Sequence, residues 1–298
     1  LNYGKTPVRD ALGECVTIGH HGVSLQERIS QLNEATPKAQ RGIQSVEVAG
    51  RILEAFASRR ERVALSELAS SAGLSTAQAH TYLVSLTKLG LVKRDALTGY
   101  YEPGPLSLRL GLIYVEQQPA YRVAVPYATQ LAERTGFSVA VCVAGAQGPT
   151  IVRYERGGNP LHVNLHVGTV MSLETTSTGR LFSAFSSAEQ LADMMKHQGL
   201  AQAQLIAGDR ASRPDKHASL DAIRRRRLAR SVDMPSPGIS SMSVPVLDAN
   251  GTLLLALTVI GPSGAMDIDW DGSIAREMTE AAKRIAHALP HETPTHAV

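Results

Sequence analysis

The chain has 298 residues, 43% of them apolar, enough for two domains each with its own core. Its 30 basic and 27 acidic residues leave a formal net charge of +3 and are spread evenly along the sequence, which argues against an indiscriminate nucleic-acid binder. No apolar run approaches the roughly 18 residues of a spanning helix, no signal-peptide core opens the sequence, and two cysteines make no disulfide framework, so a reduced cytoplasm is the expected setting.

Residues 1–42 mix Gly, Thr, Pro and both charges and read as a flexible extension. Within them, Ser24 and Glu27 form a capping-box pattern ahead of Leu25, Ile29 and Leu32, which predicts a short helix over 24–33. From residue 45 the periodicity sharpens. Val46, Ala49, Leu53 and Phe56 recur at helical spacing until "SRRER" ends the element. Leu65, Leu68, Ala69 and Ala72 make the stripe of a second helix, which Gly73 stops. Ser75 and Gln78 then cap a third helix with Ala79, Tyr82, Leu83 and Leu86 on its core face, and Gly90 ends it. "LVKRDALTGYYEP" follows as strand, polar turn and strand. Three helices and a hairpin in so short a stretch predict a winged helix-turn-helix over 43–104, with the helix-turn-helix at about 65–84.

Pro105 opens "LSLRLGLIYV", a linker helix over 105–118. A helix from Val123 to Thr135 leads into "SVAVCVAG", "TIVRYE" and "LHVNLHV", all β-rich, and "SMSVPVLDANGTLLLALTVIG" reads as two strands around Asn250-Gly251. A last helix carries Ile274, Met278, Ala281 and Ile285 on one face, and 291–298 form a tail. A sheet flanked by helices over 119–290 makes the second half an α+β, sensor-like domain.

With Ala79 at the centre of the buried face, steps of 100° turn Ala77, Thr81, Val84 and Lys88 outward, flanked by Gln78, His80 and Ser85. Such a face suits the DNA major groove. Gln78 is placed to bond an adenine bidentately, with His80, Thr81 and Lys88 beside it. Ser75 and Thr76, at the helix N-terminus, suit a phosphate, and Lys93 and Arg94 of the wing suit the flanking backbone. The plainer alternative is a three-helix packing module whose polar face meets water.

"GIQSVEVAGRILEAF", "LSELASSAGLSTAQAHTYLVSLTKLGLVKRD" and "GYYEPGPLSLRLG" resemble the IclR-type family of bacterial transcriptional regulators, and "LAERTGFSVAV", "TSTGRLFSAF", "IRRRRLARS" and "GISSMSVPVLDANGTLLLALTVIGP" continue the likeness in order over roughly 43–290. The resemblance implies a winged helix-turn-helix domain, a linker helix and a C-terminal GAF-like antiparallel-sheet domain. It also implies homodimers or tetramers on (pseudo)palindromic double-stranded operator DNA, and a small-molecule effector. The third helix departs from the family's common Lys-Ser-Thr-Val-His-Arg, keeping His80 but placing neutral Thr76 and Thr81 at the cationic positions, so fewer phosphate contacts are expected there. Ser177, Thr178, Ser231, Asp233, Ser241 and Thr258 match effector-lining positions. A hydroxyl-rich pocket suits a small oxygenated metabolite, carboxylates included, because buried polar groups need partners. Arg180 suits a carboxylate, but at a helix start it is more often solvated, and solvent is the expectation.

Other signals are weaker. His162, Asn164 and His166 alternate along an expected strand, where histidines four apart lie about 13 Å from each other, too far for one metal. The basic block Arg224 to Arg227 points around a helix and suits solvent or a subunit contact. Cys142 lies in an apolar strand as an inert thiol. Without a Gly-rich phosphate loop, a nucleophile elbow or metal-spaced cysteines, no cofactor, metal or catalytic site is expected. The rival reading is an enzyme on the C-terminal domain, with the helical module serving assembly.

Overall fold

The computed structural model describes residues 42–57, 59, 61–159, 161, 163–200 and 219–289. The expected helix over 24–33 and the tail lie outside them. Two compact units meet in sequence between Pro103 and Gly104.

In the first unit, α1 (Gln44–Ala57), α2 (Leu65–Ser71) and α3 (Thr76–Lys88) precede β1 (Val92–Arg94) and β2 (Tyr101–Pro103), an antiparallel pair. The core face of α1 is turned from the expected one. Val48, Ile52, Ala55 and Phe56 are buried while Val46 is 64% exposed, because the Val48–Ile52–Phe56 ridge presents more apolar volume to the core. Gly73, at φ +66°, ends α2 in the left-handed conformation that costs glycine no Cβ clash, and Leu74 N–H donates back to the Ala69 carbonyl at 2.8 Å. The cap of α3 is the expected box: Gln78 N–H donates to Ser75 Oγ (3.3 Å) and Ser75 N–H to Gln78 Oε1 (3.1 Å). Ile52, Leu68, Leu83, Val92 and Tyr101 close the core beneath.

In the second unit, α4 (Pro105–Glu116) buries none of its residues, and α5 (Pro119–Thr135) starts four residues before the expected Val123. Pro119 sits in the first turn, where its missing N–H goes unneeded. β3 (Ser138–Gly145) and β4 (Gly148–Glu155) follow, then α6 (Ser177–Phe185), α7 (Ala188–His197), α8 (Leu220–Arg226), β5 (Ala229–Ser231), β6 (Ile239–Leu247), β7 (Leu253–Pro262) and α9 (Ser273–Ala288). The strands form one antiparallel sheet in the order β4-β3-β7-β6-β5. Asn250-Gly251 sits in the β6–β7 turn, closed by Asp248 N–H on the Thr252 carbonyl at 3.0 Å.

Strand alternation divides the sheet into two unlike faces. Val139, Val141, Met242, Val244, Leu257 and Val259 pack against α5 and α9, where Ile274, Met278, Ala282 and Ile285 form the buried stripe. The opposite face is small and polar: Ala140, Cys142, Ala256, Ser241, Ser243 and Thr258 lie beneath α6. Residues 161 and 163–167 form no strand, contrary to expectation. The segment that follows is tied to β4 by a few bonds, Ile151 N–H to Thr169 O (2.9 Å) and Gly168 N–H to Ile151 O (2.7 Å), and apolar alternation makes no strand without a ladder. Among the described residues no helix is long and apolar enough to cross a membrane.

Candidate nucleic-acid interface and effector cavity

The outer face of α3 is open. Ser75, Thr76, Gln78, His80, Thr81 and Lys88 are all exposed, as are Ala77, Val84 and Ser85. Their hydrogens are partly committed. Thr81 donates to the Ala77 carbonyl at 3.2 Å and turns lone pairs outward. Gln78 Oε1 accepts from Ser75 N–H and lies 3.0 Å from Ser75 Oγ. A bidentate bond to adenine uses both amide atoms, so it requires this cap to open; the side-chain NH2 can reach a base edge without that.

In the wing, Lys93 and Arg94 are exposed but tethered. Lys93 Nζ pairs with Glu102 Oε1 at 3.3 Å, and Arg62 bridges Glu102 (3.0 Å) and Asp95 (2.7 Å). The hydrogen bond from Lys93, and then Arg62, hold the Glu102 carboxyl below its usual range. Exposed pairs of this kind are held weakly and can re-pair with a phosphate. Arg94 folds back, its Nε donating to the Gly99 carbonyl at 3.3 Å and its guanidinium 5.7 Å from the Tyr101 ring centre. The backbone N–H groups of Thr98 and Leu97 hold Asp95 below the usual carboxylate range and shape the wing tip, where Leu97 is 98% exposed. Neither Arg62 nor Leu97 stood out in the sequence, since Arg62 acts through partners more than 30 residues away.

The second unit holds a cavity of about 380 Å³, walled by the 163–172 segment, the start of α6, the 234–239 loop and the ends of β6 and β7. Ser241, Thr176, Ser172, Met171, Met234 and Ile260 are on its wall, and among the described residues no ionisable side chain lines it. Of the six expected lining residues, Ser241 alone is there. Ser177, Thr178 and Thr258 are buried behind the wall in a hydroxyl cluster with Ser243. Ser231, fully buried, lies with its Oγ 2.9 Å from the Thr175 carbonyl oxygen and 3.2 Å from that of Met234, sharing its one hydrogen between two walls. Asp233 is exposed, its Oδ1 accepting from Gly238 N–H (3.1 Å) and Ser263 Oγ (2.6 Å), which fixes the loop.

The cause of this displacement is Gly179. A side chain there would stand 1.9 Å from the Ser172 carbonyl oxygen, so its absence lets α6 settle onto the 172–173 backbone and presses Ser177 and Thr178 into the sheet. The same descent corrects the expectation for Arg180: only 1% exposed, it lies on a helix buried from Ser177 through Ala184. The discounted polar pattern also changes meaning. Asn164 lines the cavity, His166 Nδ1 contacts Thr169 Oγ1, and His162 lies outside the described residues. The cavity residues missed in sequence, Ser172, Thr176 and Met234 among them, sit at the ends of irregular segments with no periodicity to mark them. Burial raises the Cys142 thiol to about 12, with Thr178 hydrogen-bonded to it. In the basic block, Arg224 donates to the Ala184 carbonyl at 2.6 Å, and Arg226 stacks on Trp270 at 5.1 Å.

A winged helix-turn-helix with an open third helix, followed in the same chain by a domain with a hydroxyl-lined cavity, defines a DNA-binding regulator with a small-molecule sensor. Residues 45–96 match the IclR helix-turn-helix domain, and 112–287 match the C-terminal domain of the bacterial transcriptional regulator IclR. The chain belongs to the IclR family of bacterial transcriptional regulators. It is 30% identical to the glycerol operon regulatory protein of Streptomyces coelicolor, over 85% of this chain and 97% of that one. Among solved structures, an IclR family regulator from Brucella abortus superposes with a TM-score of 0.68 at 19% identity, covering 86% of this chain and 96% of the other. An IclR homologue from Microbacterium hydrocarbonoxydans, crystallised with 4-hydroxybenzoate, gives 0.65 at 17% identity, covering 82% and 98%.

Proposed function

We propose that the protein acts in the cytoplasm as a homodimer or tetramer that binds a (pseudo)palindromic operator, and that a small oxygenated metabolite, hydroxylated carboxylic acids included, changes operator affinity by occupying the cavity at Ser241. The observation that carries the reading is the outward, unobstructed face of α3 bearing Gln78, Thr81 and Lys88. The NH2 of Gln78 and the lone pairs of Thr81 read base edges, while Lys88, Lys93 and the α3 N-terminus at Ser75 and Thr76 hold phosphates; Arg94 braces the wing. Assembly is supported by α4, where Leu108, Leu110, Leu112 and Tyr114 are each at least half exposed, an apolar surface that a second copy of the chain would cover. The effector class is supported by the hydroxyl-lined wall and by the 4-hydroxybenzoate bound to the Microbacterium homologue.

The effector changes DNA affinity only by its preference for one of two conformations; a coupling of about 1–3 kcal/mol, or 5–150-fold, is ordinary. Fluorescence anisotropy on the promoter beside the protein's own gene tests the reading. Lys88→Ala should lower the slope of log K against log salt by about 0.9 in magnitude. Promoter affinity no better than that for random DNA would refute the operator reading. Ligand affinity that survives Ser241→Trp would refute the cavity.

A further inference from the structure

The buried hydroxyls behind the cavity settle what kind of group its inner wall can receive. Ser177 Oγ lies 2.7 Å from Ser241 Oγ and 2.8 Å from Ser243 Oγ. Thr178 Oγ1 lies 3.3 Å from Ser243 Oγ and 2.8 Å from Thr258 Oγ1, and Ser243 and Thr258 are 2.8 Å apart. Five hydroxyls thus share five contacts, and each hydroxyl has one hydrogen to give. Ser243, Thr178 and Thr258 form a closed ring, which consumes all three of their hydrogens. The contact between Ser243 and Ser177 must then use the hydrogen of Ser177, and the contact between Ser177 and Ser241 must use that of Ser241. Thr178 also bonds the Cys142 sulfur; if its hydrogen goes there, the longest ring contact, Thr178 to Ser243 at 3.3 Å, is lost, and the other four contacts still take the hydrogens of Thr258, Ser243, Ser177 and Ser241 in the same directions. Full satisfaction of the cluster therefore leaves Ser241 only lone pairs to offer the cavity.

Thr176, the neighbouring hydroxyl on the wall, is in the same position. It donates to the Ser172 carbonyl at 2.7 Å and accepts from Gly179 N–H at 2.9 Å, which leaves one lone pair. Two wall hydroxyls thus face the cavity as acceptors. A carboxylate or carbonyl placed there would set lone pair against lone pair. An ammonium would donate, but among the described residues no carboxylate lines the cavity to balance it, and an unpaired buried charge is costly.

We infer that the Ser241 and Thr176 hydroxyls take a neutral hydroxyl, the alcohol or phenol group of the effector, which donates its hydrogen to one of them; any carboxylate of the same molecule lies away from these two. The inference rests on the cavity being the effector site, but the hydrogen placement can be read without a ligand. Neutron diffraction from perdeuterated full-length protein should place the Ser241 deuterium on the line to Ser177. Deuterium pointing into the cavity overturns the inference.

The binding arm uses 4-hydroxybenzoate and glycerol as probes, each against its O-methyl ether. A probe that binds should lose at least about tenfold in affinity on methylation, and equal affinities overturn the inference. Thr258→Val opens the ring and frees a hydrogen, so Ser241 can then donate; discrimination between hydroxyl and ether should fall towards unity in this variant. Persistence of the full tenfold in folded Thr258→Val protein overturns the relay. If the cavity is not the effector site, neither the probes nor their ethers respond to Ser241→Trp, whereas the deuterium position still decides the direction of the hydroxyl.

Discussion

Replacing Gly179 with alanine tests how closely α6 is bound to the backbone beside the cavity. The new methyl carbon would stand 1.9 Å from the Ser172 carbonyl oxygen and 2.6 Å from Leu173 Cα, both main-chain atoms that no rotamer change can move aside. Overpacking a site of this kind costs up to about 3 kcal/mol. Alanine recovers about 1 kcal/mol of helix propensity, leaving a net loss of about 2 kcal/mol. For a unit of this size that lowers Tm by about 4–8 °C. The only tryptophan, Trp270, contacts Arg226 and Arg230 in the same unit, so its fluorescence follows the relevant transition. Gly50→Ala is the control: Gly50 is also helical, nothing lies within 4 Å of the added carbon, and the variant should gain about 0.5–1 kcal/mol by far-UV circular dichroism. If the Trp270 transition of Gly179→Ala stays within 1 °C of the parent, close packing of α6 is not what shapes the cavity.

Three further outcomes follow from single contacts. Ser75→Ala removes the acceptor for Gln78 N–H and should cost the first unit about 1 kcal/mol in urea unfolding; an unchanged midpoint would show that the cap does not hold α3. Cys142, with its thiol raised to about 12, should resist a disulfide reagent at pH 8 in a Cys15→Ser protein until the fold is lost, and labelling at the native-state rate of an exposed thiol would contradict its burial. Asp267 accepts from Asp269 N–H, and from Ser273 N–H at the start of α9; these bonds hold its carboxyl below the usual range. A carboxylate with a lowered folded pKa contributes stability above its unfolded pKa and loses it as pH falls through the folded value. The gap in Tm between parent and Asp267→Ala should therefore be present at pH 7 and shrink as pH falls below the ordinary Asp value of about 4; a gap that widens on acidification would reverse the sign.

Much of the first unit was legible because its instructions are local. Leu68, Leu83 and Leu86 fall where period 3.6 puts them, and Gly73, Ser75 and Gln78 mark a stop and a start within six residues. The face of α1 slipped because Val46 and Val48 both extend an apolar stripe, and only packing on α2 and α3 chooses between them. Residues 161–167 alternate as a strand should, yet the feature that makes a strand, a partner ladder, is not a local property. The cavity shows the same limit more sharply. The family resemblance marked Ser241 and Thr258, which share one face of the sheet with Ser243, but a buried hydroxyl needs a partner whether ligand or protein supplies it. Here α6 supplies Ser177 and Thr178 to most of that face, because glycine at 179 lets the helix approach where any larger residue would hold it off. Only Ser241, beyond the reach of that helix on one side, keeps an unshared surface for something from outside. The division between the sheet hydroxyls sealed behind the wall and the one that reaches the cavity is thus decided by how far one helix descends, a distance that no pattern of residue types records.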